Sequence, residues 1–166
     1  MAISPNRRYV ALGEKTAEKP VITIYDLQAL RRKKIISSPD VHSTEFASIA
    51  FSPDSKYLAA QGANPDWTLV YWSWEKSKQL ACVRTSVGRS DIFRLYRYGD
   101  GNLKPYGLTK VEPQNFLCQD WVTEEKLVVG TEEGKWILLE NGEPKFEYNV
   151  SSLVKPGDNS RSILET

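Results

Sequence analysis

The stretch Ile3-Ser4-Pro5-Asn6-Arg7-Arg8-Tyr9-Val10-Ala11 returns 48 residues later as Phe51-Ser52-Pro53-Asp54-Ser55-Lys56-Tyr57-Leu58-Ala59. Each copy reads as strand, tight turn, strand. Proline presets φ for the first central turn position, and the Asn or Asp after it can cap the turn with its own side chain. Each copy is followed by a β-rich run ending in aromatics, Val21-Ile22-Thr23-Ile24-Tyr25-Asp26-Leu27 and then Thr68-Leu69-Val70-Tyr71-Trp72-Ser73-Trp74. A period in the forties with about four strands per repeat is the pattern of propeller blades. A blade cannot bury its own face, so it must stack on neighbours, and the stack offers broad faces to partners.

Bulk properties bound the reading. The 166 residues suggest one domain. Blades of roughly 40–45 residues would allow fewer than four, too few for a closed ring of the common kind. Lys and Arg total 22 against 21 Asp and Glu, which argues against nucleic acid or an anionic membrane as the main partner. Residues 1–20 are charged and lack the apolar core of a signal peptide. No run approaches the 18 or so apolar residues of a membrane span. Cys82 and Cys118 fall in strand-like segments and are expected as buried, reduced thiols. The expected setting is therefore soluble and intracellular, in a reducing compartment.

Along the chain, strands are predicted at Tyr9–Gly13, Val21–Leu27 and Lys33–Ser37, with Gln28–Arg32 as a turn. The clearest repeat has strands at Phe46–Phe51, Tyr57–Gln61 and Trp67–Trp74, and Lys78–Arg84 is predicted to start the outer edge of the next blade. The spacing then fails. Ile92–Tyr98 matches Thr68–Trp74 in pattern at an offset of 24 (92 less 68), half the period, so one strand–turn–strand pair is missing. Regular spacing resumes with strands at Asn115–Val122, Lys126–Thr131, Lys135–Glu140 and Lys145–Val150, and Asn141-Gly142 marks a hairpin. Met1-Ala2-Ile3 falls where a strand should already be under way. The expectation is an all-β chain: an incomplete β-propeller of about three to four blades, two of them complete and one lacking two strands. It spans residues 1–154, with a polar, disordered tail at 155–166.

No catalytic constellation emerges. Gly130-Thr131-Glu132-Glu133-Gly134-Lys135 has three residues between its glycines, not four, and Trp136 follows the lysine, so it reads as a hairpin turn and not a phosphate loop. There is no Gly-x-Ser-x-Gly elbow. His42 is the sole histidine and sits in a polar loop, which leaves no metal-ligand spacing and no nucleophile–base pair. Glu124-Glu125 and Glu132-Glu133 read as solvated turns. Asn149-Val150-Ser151 is a formal glycosylation sequon that a cytosolic chain never exposes to the transferase. No cofactor is implied and the chain is expected not to be an enzyme. Arg31-Arg32-Lys33-Lys34 is the strongest basic run. It reads first as the solvated start of a strand; contact with tubulin's acidic surface, RNA or a nuclear import receptor is the functional alternative. Trp72 and Trp74 are expected between stacked sheets. Trp67, at a loop edge after Pro65-Asp66, is the best aromatic candidate for a protein contact.

The Ser-Pro-Asp turn and the aromatic third strand resemble those of WD-repeat proteins, in degenerate form. No Gly-His pair opens a repeat, and the Trp-Asp position reads Tyr25-Asp26 and then Trp72-Ser73. More specifically, the chain resembles the ciliary WD-repeat family of cilia- and flagella-associated protein 57. The resemblance rests on the two turn segments and on Pro65-Asp66-Trp67-Thr68-Leu69-Val70-Tyr71-Trp72-Ser73-Trp74-Glu75-Lys76, extended by Leu95-Tyr96-Arg97-Tyr98, Gly101-Asn102-Leu103-Lys104 and Lys126-Leu127-Val128-Val129-Gly130-Thr131. It implies a non-enzymatic scaffold built into the axoneme of motile cilia, with inner dynein arm components or tubulin as partners. This chain would be a shortened slice of the first propeller region, and a skipped exon would explain the gap near residues 85–91. The alternative is the propeller of a serine peptidase or of a translation-initiation factor, where Ser-Pro-Asp turns also occur. A peptidase needs a hydrolase domain downstream, whereas the first reading needs long heptads.

Overall fold

The structure is a computed structural model that describes residues 1–85, 95–107 and 116–150. Among these it contains fourteen β-strands. The first sheet joins β1 (Ala2–Ile3), β2 (Tyr9–Glu14), β3 (Val21–Asp26) and β4 (Arg31–Ile36) in sequential antiparallel order. The second joins β5 (Phe46–Phe51), β6 (Tyr57–Gly62), β7 (Thr68–Ser73) and β8 (Lys78–Arg84) in the same way. A two-stranded sheet follows, β9 (Tyr96–Gly99) with β10 (Asn102–Pro105). The last sheet joins β11 (Phe116–Trp121), β12 (Lys126–Thr131), β13 (Lys135–Glu140) and β14 (Glu143–Asn149).

The recurring turn is the same object twice. In the first copy the Ser4 backbone N–H donates to the Tyr9 carbonyl (2.9 Å), and the Tyr9 N–H donates to Ser4 Oγ (2.9 Å). The second copy repeats both bonds, Ser52 N–H to the Tyr57 carbonyl (3.0 Å) and Tyr57 N–H to Ser52 Oγ (2.9 Å). In each, the serine hydroxyl also donates to the turn's Asn6 or Asp54 side chain at 2.6 Å. Arg7 and Ser55 take the matching left-handed position, at φ 56° and 62°. The two turns touch, with the Asn6 N–H donating to Ser55 Oγ at 3.3 Å.

The chain divides into two compact units, Met1–Ser90 with Tyr96–Pro105 and Asp91–Leu95 with Tyr106–Thr166. In the first unit, sheets one and two bury a shared apolar cluster. Ile22, Ile24 and Ile36 come from one side, and Leu58, Val70, Trp72 and Trp74 from the other. Trp74 is fully buried, edge-on to Tyr9 (4.8 Å) and Phe51 (6.0 Å), and its indole N–H donates to the Ser55 carbonyl at 2.8 Å. This is the inter-sheet packing expected for Trp72 and Trp74. The second unit has its own smaller cluster of Leu127, Val129, Ile137 and Leu139, with Leu95 and Phe116 packed against it.

Three expectations need correction. Lys78–Arg84 does not start the next blade: β8 pairs with β7 as the outer strand of its own sheet. The first sheet is not a piece, because Ala2 and Ile3 already pair with Ala11 and Val10, so the described residues hold three four-stranded sheets beside the short one. Cys82 and Cys118 are both exposed, not buried. β8 is an outer strand and β11 is the first strand of the last sheet, so neither is flanked by strands on both sides. Cys118 Sγ occupies the space beside Gly130, where a Cβ would lie 2.6 Å from the sulfur, which is why the facing strand carries glycine. The two-stranded sheet sits where half a repeat is missing, as the spacing requires. Asn141 and Gly142 both take positive φ (51° and 77°), the hairpin turn expected of that pair. Residues 86–94 and 155–166, on which the splice reading and the tail fall, lie outside the described residues.

Candidate functional site

The basic run forms most of β4, beginning two residues earlier than expected because Arg31 already pairs with Asp26 at the end of β3. Ile24 faces Lys34 and Tyr25 faces Arg32, so the register slips by one and Lys33 is a bulge residue. A bulge re-aims side chains that strict alternation would send to opposite faces. Lys33 Nζ lies 5.8 Å from the centre of the Tyr9 ring. Lys34 Nζ donates to the Glu75 carbonyl in the β7–β8 turn, so it spans from the first sheet to the second. Arg31, Arg32 and Lys33 are exposed. Among the described residues, no carboxylate lies within ion-pair distance of these three.

Two nearby acids are already committed. Asp26 is buried. Its Oδ1 accepts the N–H groups of Gln28 and Ala29 (both 3.0 Å), and its Oδ2 accepts Arg8 at 3.2 Å. The Ala29 N–H does most to hold the Asp26 carboxyl below the usual carboxylate range; burial opposes it, and Gln28 and Arg8 reinforce it. Asp54 is likewise held low, first by the Ser52 hydroxyl and then by the Lys56 N–H, and it pairs with Lys56 at 3.7 Å. The turn end of these sheets also carries exposed Arg7, Lys76 and Lys78, against one further exposed acid, Glu75. It therefore presents a surplus of positive charge. The opposite end carries Glu14, Glu18, Asp40, Glu45 and Asp66 against Lys15, Lys19 and Arg84, with Lys15 paired to Glu45 at 3.4 Å.

Trp67 sits at that opposite end. It precedes β7, at φ 46°, is half-buried, and its carbonyl accepts the Thr85 N–H at 3.1 Å. The structure does not bring Trp67 together with Arg31, Arg32, Lys33 and Lys34. Its neighbour Asp66, which sequence reasoning passed over, organises the loop instead. The buried carboxylate accepts the His42 N–H at 2.7 Å and the Thr68 hydroxyl at 3.0 Å. The signal was an acid wedged between Pro65 and a strand start. His42 itself is exposed, with Nδ1 3.6 Å from Asp66. Gly130–Lys135 is the β12–β13 turn, with Gly134 at φ 73° and Lys135 paired to Glu133 (3.1 Å) and Glu147 (3.2 Å). Among the described residues, no group of three or more His, Cys, Asp or Glu is arranged to hold a metal. No helix among them is long and apolar enough to cross a membrane.

No family model matches the sequence. Over 98% of its length, the chain is 38% identical to cilia- and flagella-associated protein 57 of Mus musculus, and it spans 15% of that protein. Cilia- and flagella-associated protein 57 C of Tetrahymena thermophila is 30% identical over 61% of the chain, which spans 8% of it. Among solved structures, the β-propeller domain of Cps50 (Swd1) from Myceliophteria thermophila superposes with a TM-score of 0.61 at 14% identity. It covers 89% of this chain, which spans 53% of that one. The fold is thus an incomplete WD-type β-propeller. The alignment to the mouse protein runs over 185 residues, so at least 19 positions (185 less 166) have no counterpart here. The chain belongs to the cilia- and flagella-associated protein 57 family of WD-repeat proteins.

Proposed function

We propose that this chain is a non-enzymatic docking scaffold of motile cilia, part of an axonemal protein that associates with inner dynein arms and supports ciliary beating. The observation that carries this reading is the 38% identity to a cilia- and flagella-associated protein across nearly the whole chain. Stacked sheets with polarised ends supply surfaces for other proteins, which is how repeat architectures commonly work. The basic turn end of the first unit is the docking surface favoured by its charge, and Trp67 marks a second contact at the other end.

The test is expression of the tagged protein in ciliated cells whose own copy has been removed. Axonemal localisation, co-purification of inner dynein arm subunits and recovered beat frequency are the expected outcomes. A cytosolic distribution with no effect on beating would reject the reading.

A further inference from the structure

The outer strands of the three four-stranded sheets hold equivalent places but carry different charge. β4 reads Arg-Arg-Lys-Lys-Ile-Ile, β8 Lys-Gln-Leu-Ala-Cys-Val-Arg and β14 Glu-Pro-Lys-Phe-Glu-Tyr-Asn. Charge on an edge strand protects it from unwanted pairing. β8 manages with a cation at each end, and β14 with mixed signs and a proline. Four consecutive cations exceed that need. Their mutual repulsion is unfavourable until an anion lies against them.

We infer that the open edge of β4 receives an extended, carboxylate-rich polypeptide segment that pairs with it main chain to main chain. This rests on the reading of the chain as a protein-docking module. β4 is the last strand of its sheet, so one row of its N–H and C=O groups is unpaired among the described residues. Asp26 and Asp54 are bound to Arg8 and Lys56 and their own turns, which leaves Arg31, Arg32 and Lys33 without a carboxylate. In an extended segment, side chains on one face repeat every ~6.6 Å, so alternating acids meet the cations of a neighbouring strand as cross-strand pairs. The same cations disfavour pairing of two β4 edges from two copies, which would set like charges opposite one another. A polypeptide is favoured over nucleic acid because Tyr9, the ring beside Lys33, is buried against Trp74 and gives bases no platform to stack on.

The test uses the whole chain and fluorescence anisotropy with four probes. These are a short peptide alternating Glu and Thr, its Gln analogue, the acidic peptide with alternate backbone nitrogens methylated, and an oligouridylate. The acidic peptide should bind, with added salt weakening it. The Gln and methylated versions should each bind about tenfold more weakly or worse. A combined Arg31→Gln, Arg32→Gln, Lys33→Gln variant should lose a similar factor, whereas Lys15→Gln with Lys19→Gln at the other end should lose none. Matching melting curves establish that the variants fold, and the peptide comparisons decide the matter on the parent chain if they do not. Equal binding of the methylated peptide, tighter binding of the oligouridylate, or no binding of the acidic peptide overturns the inference. Ciliary localisation without peptide binding removes this inference alone, and peptide binding without ciliary localisation removes only the functional reading.

Discussion

Asp26 serves a turn, an arginine and a strand end with two oxygens, and the consequence is a dependence on pH. Its folded carboxyl is held below the ordinary value, chiefly by the Ala29 N–H and against the pull of burial. A depressed folded value means the ionised form favours the native state. That contribution is fully present above the unfolded value of about 3.9 and is lost as pH falls through the folded one. Asp26→Asn should therefore flatten part of the acid limb of a melting-temperature profile between neutral and about pH 3, the range set by the carboxylate values. Asp54 and Asp40 are depressed as well, so part of the limb should survive. An acid limb unchanged from the parent would show that Asp26 contributes nothing of the kind. The twin serines give a second comparison at this scale. Ser4 is buried and Ser52 only half so, yet their hydroxyls do the same work. Ser52→Ala should cost about 1 kcal/mol, an ordinary hydrogen bond. Ser4→Ala should cost about 1–3 kcal/mol, since it strands the Tyr9 N–H away from water. Urea unfolding of the two variants checks the order.

At the scale of strands, the sequence announced most of the architecture, and the places where it misled share one cause. Alternation and turn chemistry mark β5, β6, β7, β12 and β13 almost to the residue, because each packs an apolar face and is bounded by Pro, Gly, Asn or Asp. Alternation does not show which strand lies at a sheet margin. Cys82 and Cys118 look like core residues in a list of strands, and only the order β5-β6-β7-β8 and β11-β12-β13-β14 puts them at the margins. The start of β4 was obscured for a related reason: its bulge breaks the period just where four cations already hide the pattern. Of the candidate site, the basic run was visible and its geometry was not. Asp66 was missed because a buried acid in a loop resembles any exposed one until the His42 N–H is seen to donate to it. Packing predicts what substitution should do to the tryptophans. Trp74 is fully buried between two sheets and hydrogen-bonded, so Trp74→Ala should cost about 3–5 kcal/mol. Trp136 is only half-buried on a sheet face beside Phe146 and Tyr148, so Trp136→Ala should cost well under that figure. Comparable losses in chemical denaturation would mean that the exposed ladder of rings carries more of the stability than its burial allows.

At the scale of the molecule, the distribution of core residues decides where the chain is firm. The first unit joins two four-stranded sheets through a cluster that includes two tryptophans, a buried tyrosine and three isoleucines. Among the described residues, the second unit concentrates its fully covered side chains in Leu127, Val129, Ile137 and Leu139, all from two adjacent strands. On its other face, Phe146 is 51% exposed. Stability in repeat architectures is roughly the sum of each module's own term and its contacts with neighbours, so a module with one covered face opens more easily. Native-state hydrogen exchange should therefore show slower exchange for amides of β6 and β7 than for those of β12 and β13, although all four are central strands with complete ladders. Leu139→Ala should cost about 2–5 kcal/mol and accelerate exchange across β11 to β14 while leaving β6 and β7 unchanged, because the two clusters share no residue. Equal acceleration in both units would mean that the clusters melt as one cooperative body. The weaker core of the second unit would then have to borrow its stability from the first.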